Sequence, residues 1–118
     1  MHAVILFAHG SRDPAWARPI EAVAQRMRER APATEVRCAY LELTRPDLPE
    51  TVAELVAAGV QSLRVVPMFL GVGRHAREDL PRLIQDLQAA YPGLALELCP
   101  AVGENDAIVD ALAQVALG

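Results

Sequence analysis

The sequence predicts an α/β fold: one domain, a parallel four-stranded sheet with helices on both faces, flavodoxin-like. Three observations predict it. Four short β-like runs alternate strictly with four helix-like segments, the order that gives a parallel sheet. The β-like runs are near-continuous apolar stretches, as in strands buried on both faces. The chain has 118 residues, 53% hydrophobic and 22% charged, the size and composition of an ordinary globular domain over 1–118.

The first strand is 2–8, "HAVILFA", and it runs directly into the polar stretch "HGSRDP". Helix 18–31 follows, with Ile20, Val23, Ala24 and Met27 at helical spacing and Glu and Arg on the other face. The second strand is 35–41, "EVRCAYL", and the helix 48–58 places Leu48, Val52, Leu55 and Val56 on one face before Gly59 at a C′ position. The third strand is 62–68, "SLRVVPM". Helix 80–91 carries Leu80, Leu83, Ile84, Leu87 and Tyr91; Asp79 reads as its N-cap, Pro81 as a first-turn proline, and Pro92-Gly93 as its end. The fourth strand is 94–99, "LALELC", and the last helix, 105–117, starts at a capping Asn105 and bears Ile108, Val109, Leu112, Val115 and Leu117.

Composition excludes several function classes. A net charge of −4 argues against general nucleic-acid binding, which needs a basic face. No apolar stretch nears the roughly 20 residues that cross a bilayer. The apolar N-terminus lacks a cationic n-region, so the expectation is a cytoplasmic protein with no membrane partner. Cys38 and Cys99 are far apart in apolar runs and read as buried free thiols. All 11 basic residues are arginine, which excludes a Schiff-base or phosphate-loop lysine.

Unusual residues collect after the strands, in 9–17, 42–47, 69–78 and 100–104, whereas the turns before strands are short. In open parallel sheets the ligand crevice lies outside the carboxyl ends of the strands. His9 follows strand 1, Glu42 follows strand 2 and His75 follows strand 3. Two imidazoles and a carboxylate suit a divalent first-row metal, and they equally suit proton acceptance near neutral pH. Taken singly, a loop histidine is more often a solvated turn residue, and Glu42 a solvated carboxylate before Pro46. The case rests on their shared rim. His2 begins strand 1 and belongs to the opposite edge. Asp13 and Asp79 read as cap or turn residues, and the shared four-residue spacing of His9–Asp13 and His75–Asp79 as coincidence.

Arg12, Arg74 and Arg77 crowd the same rim, either as ordinary surface charge or as guanidinium forks for carboxylates or phosphates. "GVGR" at 71–74 is no GxGxxG fingerprint, and Ser11 lies in no nucleophile elbow, so dinucleotide and serine-hydrolase sites are unsupported.

"ILFAHGSRDP", "AYLELTRPDLPE" and "VPMFLGVGRHAREDLPRL" together resemble the small sirohydrochlorin chelatases of the class II chelatase superfamily, relatives of the protoporphyrin ferrochelatases. The resemblance covers nearly the whole chain, in the same order. It implies an enzyme, a lyase-type chelatase that inserts Co²⁺, Fe²⁺ or Ni²⁺ into sirohydrochlorin without ATP, in cobalamin, siroheme or nickel-cofactor biosynthesis. It implies no tightly bound cofactor, the divalent metal being a substrate. It implies that His9 and His75 bind metal and accept protons, with Glu42 as the third polar member, and that rim residues such as Arg12, Ser11 and Arg74 meet the carboxylate arms. Phe69 and Leu70 would wall the planar ring, with Met68 and Trp16 as further candidates or as simple packing. Longer relatives contain two such halves, so the resemblance implies a homodimer of this chain, to which the apolar last helix could contribute. Two other classes share the residues: a metal- or tetrapyrrole-binding carrier without turnover, and a partner-binding domain whose loop residues are incidental.

Overall fold

The computed structural model describes all 118 residues. Four strands, β1 (His2–Ala8), β2 (Glu35–Tyr40), β3 (Ser62–Pro67) and β4 (Ala95–Leu98), form one parallel sheet in the order β2-β1-β3-β4. Helices α1 (Arg18–Arg30), α2 (Leu48–Ala57), α3 (Arg74–Ala90) and α4 (Asp106–Leu117) alternate with them, and short 3₁₀ turns lie at Pro14–Ala17 and Val102–Glu104. The expected α/β class, parallel sheet and element order are therefore all present.

The two faces of the sheet follow from the alternation of side chains along β1. Ala3, Ile5 and Phe7 point to one face, where they pack with Leu63 and Val65 of β3, Leu48, Val52 and Leu55 of α2, and Leu80 and Leu87 of α3. Val4 and Leu6 point to the other face, toward Val36 of β2 and Ile20, Ala24 and Met27 of α1. Six of the seven β1 residues are buried, as a central strand covered on both sides requires.

Two expectations are corrected. α3 begins at Arg74, with Gly73 at the N-cap, and not at residue 80. Asp79 is therefore no cap, and Pro81 sits inside the helix rather than in its first turn. A proline there deprives the Arg77 carbonyl of its donor, but the four-residue lead from Arg74 to Arg77 is already helical before the proline is reached. The loop after β3 shortens accordingly to 68–73, and His75 lies on a helix rather than in a loop. The second correction concerns the thiols: Cys38 and Cys99 are half-buried rather than sealed in the core.

The last helix stands apart. α4 is capped by Asn105, whose side chain accepts from the Ala107 N–H, yet none of its residues is buried. Its main contact is with the adjoining 3₁₀ turn. On the α1 side of the sheet, Arg64 of β3 and Glu97 of β4 face each other in register and pair at 3.5 Å while still exposed.

Candidate functional site

The strand order reverses between β1 and β3, since β1 connects outward to β2 and β3 outward to β4. At such a switch point the loops leaving the carboxyl ends diverge and open a crevice. A cavity of about 390 Å³ lies there. His9 enters it from the end of β1, Glu42 from the segment after β2, and Arg74 and His75 from the first turn of α3. The three residues predicted to converge on one rim do converge. Phe7, Leu41, Phe69, Leu80 and Leu83 supply apolar walls.

Each of these side chains is held by local structure. The backbone ladder between β1 and β2 continues past the strand ends: Leu41 N–H donates to the Ala8 carbonyl at 2.9 Å, and Glu42 N–H to the His9 carbonyl at 3.0 Å. His9 and Glu42 are thus tied main chain to main chain. Gly10 makes the approach possible. Its φ is +100°, and a Cβ placed on it would lie 1.8 Å from the Glu42 carbonyl oxygen. After Glu42 the chain reverses sharply, with Thr44 N–H donating to the Glu42 carbonyl at 2.8 Å and Leu43 at φ 66°. A left-handed leucine costs about 1–2 kcal/mol, so strain is stored directly beside the carboxylate.

Phe69 is the rigid floor of the site. It is buried, meets Phe7 edge-on at 6.1 Å between centroids, and lies against the His9 ring at 4.4 Å with 32° between planes. The turn carrying it is clamped from behind by Gly103, whose N–H donates to the Phe69 carbonyl and whose Cβ, if present, would lie 1.8 Å from the Leu70 carbonyl oxygen. Glycine 103 thus shapes the site from the far end of the chain; nothing in its local sequence signals this.

Other predicted residues fall elsewhere. Ser11, Arg12 and Leu70 do not line the cavity. Gly10 turns the chain away, the Ser11 hydroxyl accepts from the Asp13 N–H, and Asp13 caps the 3₁₀ turn through the Ala15 N–H, the cap role expected of it. Leu70 is 67% exposed, outside the walls. Met68 packs on the opposite face of the sheet with the α1 cluster, and Trp16 packs edge-on against Tyr40. Arg74 lines the cavity while holding Glu78 at 3.3 Å. Arg77 lies around the helix, in a separate groove with Pro100 and Glu104. Asp79, Leu41 and Leu83 line the cavity without having been singled out for it.

No three His, Cys, Asp or Glu side chains stand close enough together to hold a metal ion as a ready-made cage. The arrangement offers instead separate nitrogen and oxygen donors around an apolar slot. Such a site can receive a cation, accept protons and seat a flat ring, without locking any of them in place.

The family model for CbiX matches residues 3–117. The chain belongs to the CbiX family. It is 31% identical over 84 residues to the sirohydrochlorin cobaltochelatase of Methanococcus aeolicus, covering 71% of this chain and 59% of that protein. The alignment spans about three-fifths of the length of the first curated relatives it matches. Among solved structures, a CbiX protein from Marinobacter aquaeolei superposes with a TM-score of 0.86 at 35% identity, covering 98% of this chain and 94% of that one. The sirohydrochlorin chelatase SirB from Bacillus subtilis, solved in complex with cobalt, shares the fold with a TM-score of 0.80 at 24% identity; 96% of this chain matches 48% of SirB.

Proposed function

We propose that this CbiX-family chain is a sirohydrochlorin metal chelatase, and that His9, Glu42 and His75 carry the reaction. The single observation that carries the reading is the convergence of two imidazoles and a carboxylate on one apolar crevice at the β1/β3 switch point. The names of its relatives supply the substrate class.

Insertion exchanges one divalent cation for two pyrrole N–H protons, so the net charge of the ring is unchanged. The site therefore needs a donor for the incoming cation and acceptors for the outgoing protons. A neutral imidazole serves either need. His75 projects from the first turn of α3 and His9 from the end of β1, so one can hold metal while the other takes a proton. Glu42, tied by its backbone to His9, offers a carboxylate to pass protons outward and to offset the positive charge of the arriving ion. Phe69, beneath His9, gives the macrocycle a flat apolar surface. Arg74 at the rim pairs with Glu78, and a substrate carboxylate can take over that guanidinium. Ser11, Arg12 and Leu70 lie outside the cavity and would meet only the periphery of a large ring. Cobalt is the metal named for the relatives described above; imidazole and carboxylate donors accept Fe²⁺ and Ni²⁺ as well. No energy-supplying nucleotide or resident cofactor is part of this scheme.

The cavity is at the small end of the roughly 300–1,000 Å³ usual for ligand pockets, too small to enclose a tetrapyrrole. The chain also matches only about half of SirB. A homodimer would widen the pocket for the ring, and the exposed apolar α4, with Val109 at 48% and Leu112 at 45% accessible, is the surface it would use. A soluble, cytoplasmic enzyme fits the substrate; no helix is long and apolar enough to cross a membrane.

The test is direct: purified protein mixed with sirohydrochlorin and Co²⁺ should change the tetrapyrrole absorption faster than a protein-free control. Binding of ring and metal with no acceleration would leave the carrier reading instead.

A further inference from the structure

We propose that Asp79 is a metal-delivery residue, which with His75 takes the divalent cation as it enters the cavity and before the ring nitrogens do. The inference rests on the chelatase reading and extends it to a side chain outside the His9–Glu42–His75 set.

Asp79 has lost its obvious structural purpose. Gly73, not Asp79, occupies the N-cap of α3. Asp79 lines the same cavity as His75. The two are four residues apart on one α-helix, which puts them on the same face with Cβ atoms about 5–6 Å apart. Its neighbour Glu78 is engaged with Arg74. The Asp79 carboxylate and the His75 ring, both on exposed residues, have no hydrogen-bond or ion-pair partner among the protein's side chains. An exposed carboxylate beside an imidazole, at the edge of an apolar slot, is open to a cation arriving from solution.

The pairing also fits what a cargo ion demands. An imidazole nitrogen and a carboxylate oxygen one turn apart form a two-point chelate for Co²⁺, Fe²⁺ or Ni²⁺, the same i,i+4 geometry by which helical metal motifs place two ligands on one face. A resident metal is held by three or four protein ligands. Here no third donor stands close enough, so water completes the shell. Two protein ligands capture the ion but let it go. As the ring arrives, its nitrogens replace the waters and then the Asp79 oxygen, while the two N–H protons pass to the wall that carries His9 and Glu42. One cation enters and two protons leave.

The experiment titrates Co²⁺ into the full chain without tetrapyrrole, following the visible absorption of the bound ion. It then varies Co²⁺ at saturating sirohydrochlorin. Asp79→Asn should weaken Co²⁺ binding at least about tenfold and raise the KM for Co²⁺ in proportion, with the KM for sirohydrochlorin unchanged. Asp79→Glu, which keeps the carboxylate, should recover part of the affinity; it also decides the matter if the asparagine variant fails to fold. Wild-type Co²⁺ affinity and metal KM in Asp79→Asn would overturn the inference, as would an effect confined to the sirohydrochlorin KM. Failure of the wild-type protein to insert metal would instead overturn the chelatase reading and take this inference with it.

Discussion

Replacing Gly10 with alanine should break the site without touching any side chain in it. The native φ of +100° is one that an L-residue rarely adopts, and the new methyl would lie 1.8 Å from the Glu42 carbonyl oxygen. Holding alanine in a left-handed conformation costs about 1–2 kcal/mol. The overlap falls on backbone, so the 9–11 or 42–44 segment must move. Moving either lengthens the bond between Glu42 N–H and the His9 carbonyl, a further loss of about 1 kcal/mol. The sum is about 2–3 kcal/mol, which for a chain of this size lowers Tm by roughly 10 °C. Because His9 and Glu42 ride on the displaced segments, chelation should fall about a hundredfold, the scale at which a 1 Å misplacement acts. Gly71→Ala is the control: a Cβ there meets nothing within 4 Å and φ is not positive, so stability should hold or rise by a few tenths of a kcal/mol. Thermal unfolding by circular dichroism and the insertion assay read both variants. A Gly10→Ala protein as stable and active as wild type would refute the claim that this close approach sets the site.

Further outcomes follow from the same structure. Burial pushes the Cys38 thiol above its ordinary value, partly countered by Arg28; iodoacetamide at neutral pH should label it far more slowly in the folded chain than in urea, and equal rates by mass spectrometry would contradict this. Hydrogen bonding and charge from Arg45 hold Glu50 below the ordinary 4.5 of a glutamate. A lowered folded value contributes stability that is present above the unfolded value and lost as pH falls through the folded one. Arg45→Ala should therefore lose less stability than wild type on acidification below about pH 4.5; the effect is small because both side chains are solvated, and identical urea midpoints against pH in the two proteins would contradict it. If the proposed homodimer forms through α4, wild type should scatter light as a dimer and Leu112→Arg, on the exposed face of α4, as a monomer with a still cooperative unfolding transition; a monomeric wild type, or an unchanged mass in the variant, would contradict an α4 interface.

The fold was legible because its signals are local. Four apolar runs of strand length and four amphipathic segments need no tertiary information, and Asn105 caps α4 as its position suggests. The start of α3 was not. Asp79-Leu80-Pro81 carries a strong capping pattern, and it outweighed the weaker helical tendency of Arg74–Glu78, which only the termination of the loop at Gly73 reveals. That one misplacement hid two features of the site: that His75 stands on a rigid helix, and that Asp79 faces the cavity with it. His9, Glu42 and His75 were legible through the edge rule for parallel sheets. Ser11 and Arg12 lie outside the cavity, and nothing local says which way the chain turns after a glycine at φ +100°. The parts played by Gly10 and Gly103 depend on segments brought against them from far along the chain, and no single stretch of sequence records such an approach.

His9 and His75, entering one cavity from two different elements, act together on metal and ring in the proposed reaction. Single-turnover insertion of Co²⁺ into sirohydrochlorin, compared among wild type, His9→Ala and His75→Ala, tests it most directly. Both variants should keep the wild-type circular dichroism spectrum and each should lose at least about a hundredfold in rate, the range for removing a positioned proton acceptor. Folded variants that insert cobalt at the wild-type rate would contradict it.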